Sequence, residues 1–382
     1  MKQLSVYVGV DDKQVDLFEG QYVVKNGVSY NSHVLFGDKI AVIDTVDVHF
    51  KDEWLGNIAK AVGKKTPDYL VVSHMEPDHS GSIAAFAQAY PTAKIVVNNK
   101  IAVMLGQYFP KIKLADRLVT VVDGGTLDLG GGRTLTFAFV PMVHWPEVMV
   151  EYDNAEKTLY SADAFGKFGA RDVEEPWDDE ARRYYIGIVG KYGLQVKNAL
   201  NKLGGLDIAR IRPLHGPDLT GDAIVHALEL YTKWANYEPE DDGIMIAYTS
   251  VYGHTEQAVR ELEYLVSSRA RKVKVFDLAR SDWAECVAYA FKSETVVFAT
   301  TTYSADAFPA MREFVDRLVE RNFQNRRVAL IENGTWVPAA ARVLKSKLEN
   351  CKNLTYVGEP VTIMSALNGD SRKKLKELSE LL

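Results

Sequence analysis

The segment Ser73-His74-Met75-Glu76-Pro77-Asp78-His79-Ser80-Gly81 constrains this chain more than any other. Tyr69-Leu70-Val71-Val72 before it is an apolar run of the kind that forms a buried strand. Ile83-Ala84-Ala85-Phe86 after it predicts a helix with a serine at its start. Two imidazoles and two carboxylates therefore crowd one loop at a strand end. In extended backbone, residues 74, 76 and 78 point the same way. The adjacent Asp78 and His79 can be aimed at two neighbouring points. Pro77 stiffens the turn and removes a backbone donor. Carboxylates mixed with imidazoles, without cysteine, suit iron, manganese or zinc better than a soft-metal or structural zinc site. A polar loop with a chance pair of histidines is the competing explanation, and four candidate ligands in six residues weigh against it.

At 382 residues the chain is long for one domain and comfortable for two. Its 47% hydrophobic and 25% charged residues are ordinary for a globular protein and allow a full core in each. A net charge of -6 offers no general electrostatic case for nucleic acid. The 2 cysteines, Cys286 and Cys351, lie far from the histidine-rich loop. They support neither a disulfide framework nor a cysteine-ligated iron–sulfur or rubredoxin-type centre. Met1-Lys2-Gln3-Leu4-Ser5 lacks the apolar run of a signal peptide, and no stretch approaches a membrane span. A cytoplasmic, reducing setting without membrane contact is expected.

Short apolar bursts fill residues 1–50, with Asn26-Gly27 and Gly37-Asp38 as hairpin turns, which predicts an antiparallel sheet. Segments at 94–98, 118–122 and 135–140, with a helix at 100–107, extend this to two mixed sheets with helices outside. Gly130-Gly131-Gly132 reads as a turn, because no helix follows it. Single ligand types recur at three later strand ends: His144 in Met142-Val143-His144-Trp145, Asp163 in Ala162-Asp163-Ala164, and His215 before Gly216-Pro217. Each alone is an ordinary loop residue. Together with the first loop they make a candidate ligand set of His74, Glu76, Asp78, His79, His144, Asp163 and His215. His33, His49, His226 and His254 stay outside it. The charged run from Asp178 to Tyr185 predicts a helix continuing to Tyr192, with its charges on a solvated face.

The loop and the three later residues resemble the metallo-β-lactamase-like fold, whose zinc hydrolases carry His-x-His-x-Asp-His in the first loop. Glu76 stands where the second histidine would be. That replacement, followed by His144, Asp163 and His215 in order, is similar to the flavodiiron proteins, also called A-type flavoproteins. The resemblance implies an N-terminal metallo-β-lactamase-like αββα sandwich over residues 1–240. It implies that His74, Glu76 and His144 hold one iron, that Asp78, His79 and His215 hold the other, and that Asp163 bridges them. It also implies a tyrosine near the metals, with Tyr30 and Tyr185 both open.

Tyr237-Glu238-Pro239-Glu240-Asp241-Asp242-Gly243 is acidic, contains proline and ends in glycine, and marks the domain boundary. Beyond it, apolar strands at 244–248, 273–276, 295–299, 328–331 and 354–357 alternate with amphipathic helices. The helices are read through Ala258 to Leu265, near 283–290, and at 309–321, 338–348 and 370–381. This order predicts an α/β domain over 241–382, a flavodoxin-like doubly wound parallel sheet with its ligand at the strands' carboxyl ends. Thr249, Ser250, Tyr252, Gly253, His254 and Thr255 form a hydroxyl-rich turn into a helix, which reads as a phosphate site. An ordinary capped helix start is the alternative. The Walker ending of Gly-Lys-Ser/Thr is missing. Two further strand ends supply candidate flavin loops: Thr300, Thr302, Tyr303, Ser304 and Ala305, then Asn333, Gly334, Thr335 and Trp336. Tyr303 and Trp336 suit stacking on an isoalloxazine ring, or simple packing of the loops. These loops resemble the family's FMN domain. Ser304-Ala305 and Val337-Pro338 depart from the amide pair and the small Gly-rich sequence common there.

The expected protein is a flavodiiron oxidoreductase. In it FMN passes electrons to two irons per chain, which reduce O2 to water or NO to N2O. The electron donor is expected to be separate: a rubredoxin-like protein, a flavin reductase or reduced deazaflavin. The resemblance further implies a head-to-tail homodimer or homotetramer that brings the FMN of one chain to the irons of the next. Two other readings compete. One is a dinuclear zinc hydrolase fused to a flavodoxin-like module, against which Glu76 argues. The other is an electron carrier or redox sensor with a structural metal loop, against which seven converging ligands argue.

Overall fold

The computed structural model describes residues 4–269 and 272–382. Met1–Gln3, the start of the stretch read as lacking a leader, lie outside the described residues. Among the described residues, no helix is long and apolar enough to cross a membrane. The chain divides into two compact units. The first runs to Tyr185 and returns for Leu194–Tyr231; the second takes Ile186–Gly193 and Thr232–Leu382.

The first unit holds two six-stranded sheets. One is ordered Ser5–Tyr7, His33–Phe36, Ile40–Ile43, Tyr69–Val71, Lys94–Val97, Leu118–Thr120. Its first three strands are antiparallel and the rest parallel. The parallel strands are apolar at nearly every position because both of their faces are covered. Trp54, Ile58 and Val62 form the buried stripe of the helix Lys51–Val62, at the spacing that one helix face requires. The second sheet is ordered Thr126–Gly130, Arg133–Phe139, Met149–Asp153, Thr158–Tyr160, Arg210–Arg212, Leu219–Thr220. Leu127, Leu129, Leu135 and Phe137 are buried and alternate with more exposed residues, the mark of a sheet covered on one face.

Three local expectations change. Gly37-Asp38 does turn between paired strands, but Asn26-Gly27 does not. Tyr22–Val23 pairs with Leu17–Phe18, and Val28–Tyr30 pairs with Val10–Asp12, so the turn hands the chain from one small ribbon to another. Gly27 is needed there: its φ is +66, and a Cβ would lie 2.1 Å from Asp12 O. The helix does run on to Tyr192, but its form changes: it is α-helical over Trp177–Tyr184, a π-helix over Tyr185–Val189 and a 3-10 turn over Gly190–Tyr192. Its charges are not all solvated, since Arg182 and Arg183 are buried, paired with Asp179 at 2.7 Å and Glu180 at 3.0 Å. His226 lies on the helix Asp222–Ala235, with Nε2 at 2.8 Å from Asp178.

The second unit is one doubly wound sheet ordered Val273–Asp277, Asp241–Tyr248, Ser293–Tyr303, Arg327–Asn333, Thr355–Tyr356, all parallel. Val361–Ile363 continues the far edge, also parallel to Arg327–Asn333. Ile244, Ile246, Val297, Ala329 and Ile331 pack with Val259 and Leu262 of the helix His254–Ser267 and Leu375 and Leu378 of the helix Gly369–Leu381. The third strand does not stop at 299. Thr300 and Thr301 keep pairing with Glu332 and Asn333, and Thr302 and Tyr303 fold back on Asp306 and Ala307. A run of β-branched threonines favours that extension.

Candidate metal centre and cofactor cavity

The strand Tyr69–Val71 delivers the first loop, and the loop is pinned from behind. Asp44 accepts the Ser73 N–H at 2.7 Å and the Ser73 Oγ–H at 2.5 Å. Glu151 Oε2 lies 2.9 Å from the same hydroxyl. Burial, and then the charge of Asp44, hold Glu151 well above the usual carboxylate range. Burial likewise raises Asp44, to about 6. Pro77 then opens a short helix, Pro77–Ser80, as proline does at a first helical position. Here the extended-loop expectation fails. His74 and Glu76 converge, but the helical turn swings Asp78 away, to the same point as His79. Ser82 precedes the helix Ile83–Ala89 without capping it; its hydroxyl donates to Asp47 O at 3.3 Å.

All seven candidate ligands come together in two groups: His74, Glu76, His144 and Asp163, and then Asp78, His79 and His215. Within each group the ligand atoms lie within 4.8 Å of one another. In the first, Glu76 Oε2 is 3.3 Å from His74 Nε2 and 3.0 Å from His144 Nε2. Asp163 Oδ2 is 2.9 Å from His144 Nε2. In the second, Asp78 Oδ2 is 3.2 Å from His79 Nε2 and 3.3 Å from His215 Nε2. Asp163 Oδ1 is 3.2 Å from His79 Nε2. One carboxylate thus offers a separate oxygen to each group, from the loop that follows Thr158–Tyr160.

The donor set fits two cations. Both oxygens of Asp78 and Oδ1 of Asp163 are buried and accept no hydrogen bond. His79 Nε2 and His215 Nε2 face each other at 3.0 Å, which two lone pairs tolerate only around a shared cation or proton. Without a cation, protons balance the charge. Burial would lower His74, but Asp163, Glu147 and Glu76 outweigh it and hold it well above the usual imidazole range. His144, lowered by burial and raised more by Asp163 and Glu76, stands at about 9. Burial would raise Asp163, yet His74, His79 and His144 keep it well below its usual range.

Several contributors carried no signal in the sequence reading. Glu147 Oε1 lies 2.7 Å from His74 Nδ1 and accepts the Met75 N–H at 2.9 Å, so it orients a ligand from behind. Of the two open tyrosines, Tyr30 has its ring 6.1 Å from His215 and 6.5 Å from His79. Tyr185 meets Tyr231 edge to face instead, with ring centroids 5.0 Å apart. The residue before it, Tyr184, faces His215 at 5.3 Å, with its hydroxyl buried and unpartnered. One more position along a helix rotates a side chain by about 100°, so adjacent tyrosines cannot share a site.

In the second unit a cavity of about 800 Å³ opens at the strands' carboxyl ends. Tyr252, His254 and Thr255 line it from the first turn. Thr302, Tyr303, Ser304 and Ala305 line it from the hairpin, and Asn333, Gly334, Thr335 and Trp336 from the next loop. Thr249 and Thr300 are not on its wall; they bond to each other at 2.6 Å beneath it. Ser250 Oγ accepts the N–H groups of Gly253 at 3.1 Å and Glu256 at 3.3 Å, which shapes the turn. Gly253 has φ +87. Arg342 and His254 line the cavity and, among the described residues, no carboxylate does. That lining suits an aromatic ligand with a phosphate.

Paired carboxylate-and-histidine nests on a two-sheet unit, joined to a doubly wound sheet with a ligand cavity, define a two-domain metallo-β-lactamase-like and flavodoxin-like protein. Residues 28–216 match the family model of the ODP family beta lactamase. An anaerobic nitric oxide reductase flavorubredoxin of Salmonella arizonae is 29% identical over 363 residues, covering 90% of this chain and 74% of its own. The rubredoxin oxygen:oxidoreductase of the anaerobe Desulfovibrio gigas superposes with a TM-score of 0.90 at 26% identity, covering 99% of this chain and 95% of its own. The flavodiiron protein of Giardia intestinalis reaches a TM-score of 0.92 at 24% identity, covering 99% and 94%. In sequence, fold and paired nests this chain resembles the flavodiiron proteins.

Proposed function

We propose that this protein reduces O2 to water, or NO to N2O, at two irons supplied with electrons through FMN. The observation that carries the reading is the pair of ligand nests meeting at Asp163. His74, Glu76 and His144 would hold one iron, and Asp78, His79 and His215 the other. Bound iron supplies electrons to a small gas molecule at open coordination positions. The residues supply the rest. Glu147 and the Ser29 carbonyl, the latter 2.7 Å from His215 Nδ1, fix which ring nitrogen faces the metal. Trp145, with its ring 5.2 Å from His74, walls the first position, and Tyr30 and Tyr184 wall the second against bulk water.

In the second unit, Tyr303 and Trp336 would sandwich the isoalloxazine, and the turn at Ser250–Thr255 would hold the phosphate. We place the domain boundary between 240 and 241, where the first strand of that sheet begins. The names of the relatives support a small redox protein of the rubredoxin kind as donor, ahead of a flavin reductase or reduced deazaflavin. The setting we assign is cytoplasmic, and the assembly a head-to-tail homodimer or a dimer of such dimers. The zinc-hydrolase reading is not favoured: Glu76 takes the place of an imidazole, and the relatives are named as reductases.

The test is anaerobic metal and flavin analysis, then stopped-flow mixing of the reduced protein with each gas. Two irons and one FMN per chain are expected, with oxidation by at least one gas. Outer ligands of metal sites already cost about 10–100-fold when replaced. Asp163→Ala should therefore lower turnover by more than about 100-fold while the FMN spectrum survives. Zinc in place of iron, FAD in place of FMN, or indifference to both gases would sink the reading.

A further inference from the structure

Resting on the diiron reading above, we propose that Asn31 is a positioning residue that sets the metal affinity of the second position, the one built from Asp78, His79 and His215. The strand Val28–Tyr30 runs past the loop that carries His215, and its end grips that loop on both sides. The Asn31 backbone N–H donates to Leu214 O at 2.8 Å. Asn31 Nδ2 donates one hydrogen to Pro213 O and the other to Gly216 O, each at 2.8 Å. The carboxamide therefore spans the peptides on either side of His215. Its Oδ1 accepts from the Tyr7 hydroxyl at 3.2 Å, and the amide cannot turn over without losing both bonds to the backbone carbonyls, which only accept.

Ser29 completes the grip. Its carbonyl accepts from His215 Nδ1 at 2.7 Å, and its Oγ accepts the Gly216 N–H at 2.7 Å. A carbonyl can only accept, so Nδ1 carries the proton and Nε2 presents its lone pair. Ser29, Asn31 and His215 are all buried, so no water replaces a lost bond cheaply. Gly216 adds little slack, since its φ is +82 and a Cβ would meet Lys167 at 2.7 Å.

The clamp bears on one position and not the other. His74, at the first position, is held through Nδ1 by Glu147. At the second, His79 Nδ1 is buried without a hydrogen-bond partner, which leaves His215 as the imidazole oriented from behind. The two positions have matching ligand types, so their affinities should separate according to these outer contacts.

The experiment is anaerobic titration of the metal-free full chain with cobalt(II) against a competing chelator, reading visible absorption and two binding constants. Asn31→Asp is nearly isosteric but lacks the two donors. It should weaken one binding phase about 10–100-fold and leave the other unchanged. Glu147→Gln should weaken the opposite phase. Ser29→Ala keeps the carbonyl and loses only the Gly216 acceptor; it should give a smaller loss in the same phase as Asn31→Asp, and decides the matter if the Asn31 variant does not fold. Equal weakening of both phases would mark a merely structural role and overturn the proposal, as would no change in either. A wild-type chain without two phases would overturn the diiron reading and this inference with it.

Discussion

Asp163 is fully buried among three imidazoles, and its low proton affinity follows from their charge and not from solvation. The same coupling makes metal binding a competition with protons. His144 stands at about 9 in the metal-free chain, above the ordinary imidazole value of about 6.5. A folded value above the unfolded one means that this group stabilises the metal-free fold fully below about 6.5 and ceases to as pH rises through 9. A cation needs the neutral ring, so the sign for metal is opposite: affinity rises with pH until about 9. Chelator competition between pH 7 and 9 should show apparent affinity climbing about tenfold per unit for each proton displaced. A flat profile would mean that the imidazoles are already neutral. At this scale the residue types were legible in the sequence, because ligand chemistry belongs to the side chain. Glu147, Ser29 and Tyr184 were not, because nothing in a lone glutamate, serine or tyrosine marks which loop it will face.

Among the elements, the turn from Asp241–Tyr248 into the helix His254–Ser267 offers the sharpest test. Gly253 sits at φ +87, and a Cβ there would meet nothing within 4 Å. Gly253→Ala should therefore cost only the strain of a left-handed residue, about 1 kcal/mol, and leave flavin binding largely intact. Gly253→Asp places a carboxylate in the turn proposed to hold the phosphate, and should release most of the flavin. Fluorescence titration of FMN into the two stripped variants reads the difference. Equal affinities would remove the phosphate from this turn. The alternation of apolar runs with amphipathic helices made this sheet readable almost strand for strand. The first unit was readable as sheets and helices but less so as pairings. Asn26-Gly27 has hairpin composition, yet its neighbours find partners elsewhere.

For the whole molecule, the mouth of the flavin cavity is the telling surface. Tyr252, Trp336 and Val337 are 90%, 78% and 80% exposed there. Bound flavin would cover part of this lining, and the proposed head-to-tail dimer would bring a second copy to the same mouth. Mixing His79→Ala chains with Gly253→Asp chains tests this. A hybrid dimer pairs one intact flavin unit with one intact metal unit, so gas reduction should partly return after subunit exchange. Demonstrated hybrids without recovery would exclude transfer between chains. What the sequence determined by itself was chemistry and local period: the ligand types and their order, the glycine turn, and the alternation of strand and helix. These depend on residues close together in the chain. Tertiary structure alone decided that a helical turn, not an extended loop, carries Asp78 towards His215, that Glu147 backs His74, and that Asn31 grips a loop 182 to 185 residues away. Such contacts are chosen by how the strands stack and pair, and no local pattern encodes the packing that brings distant loops together.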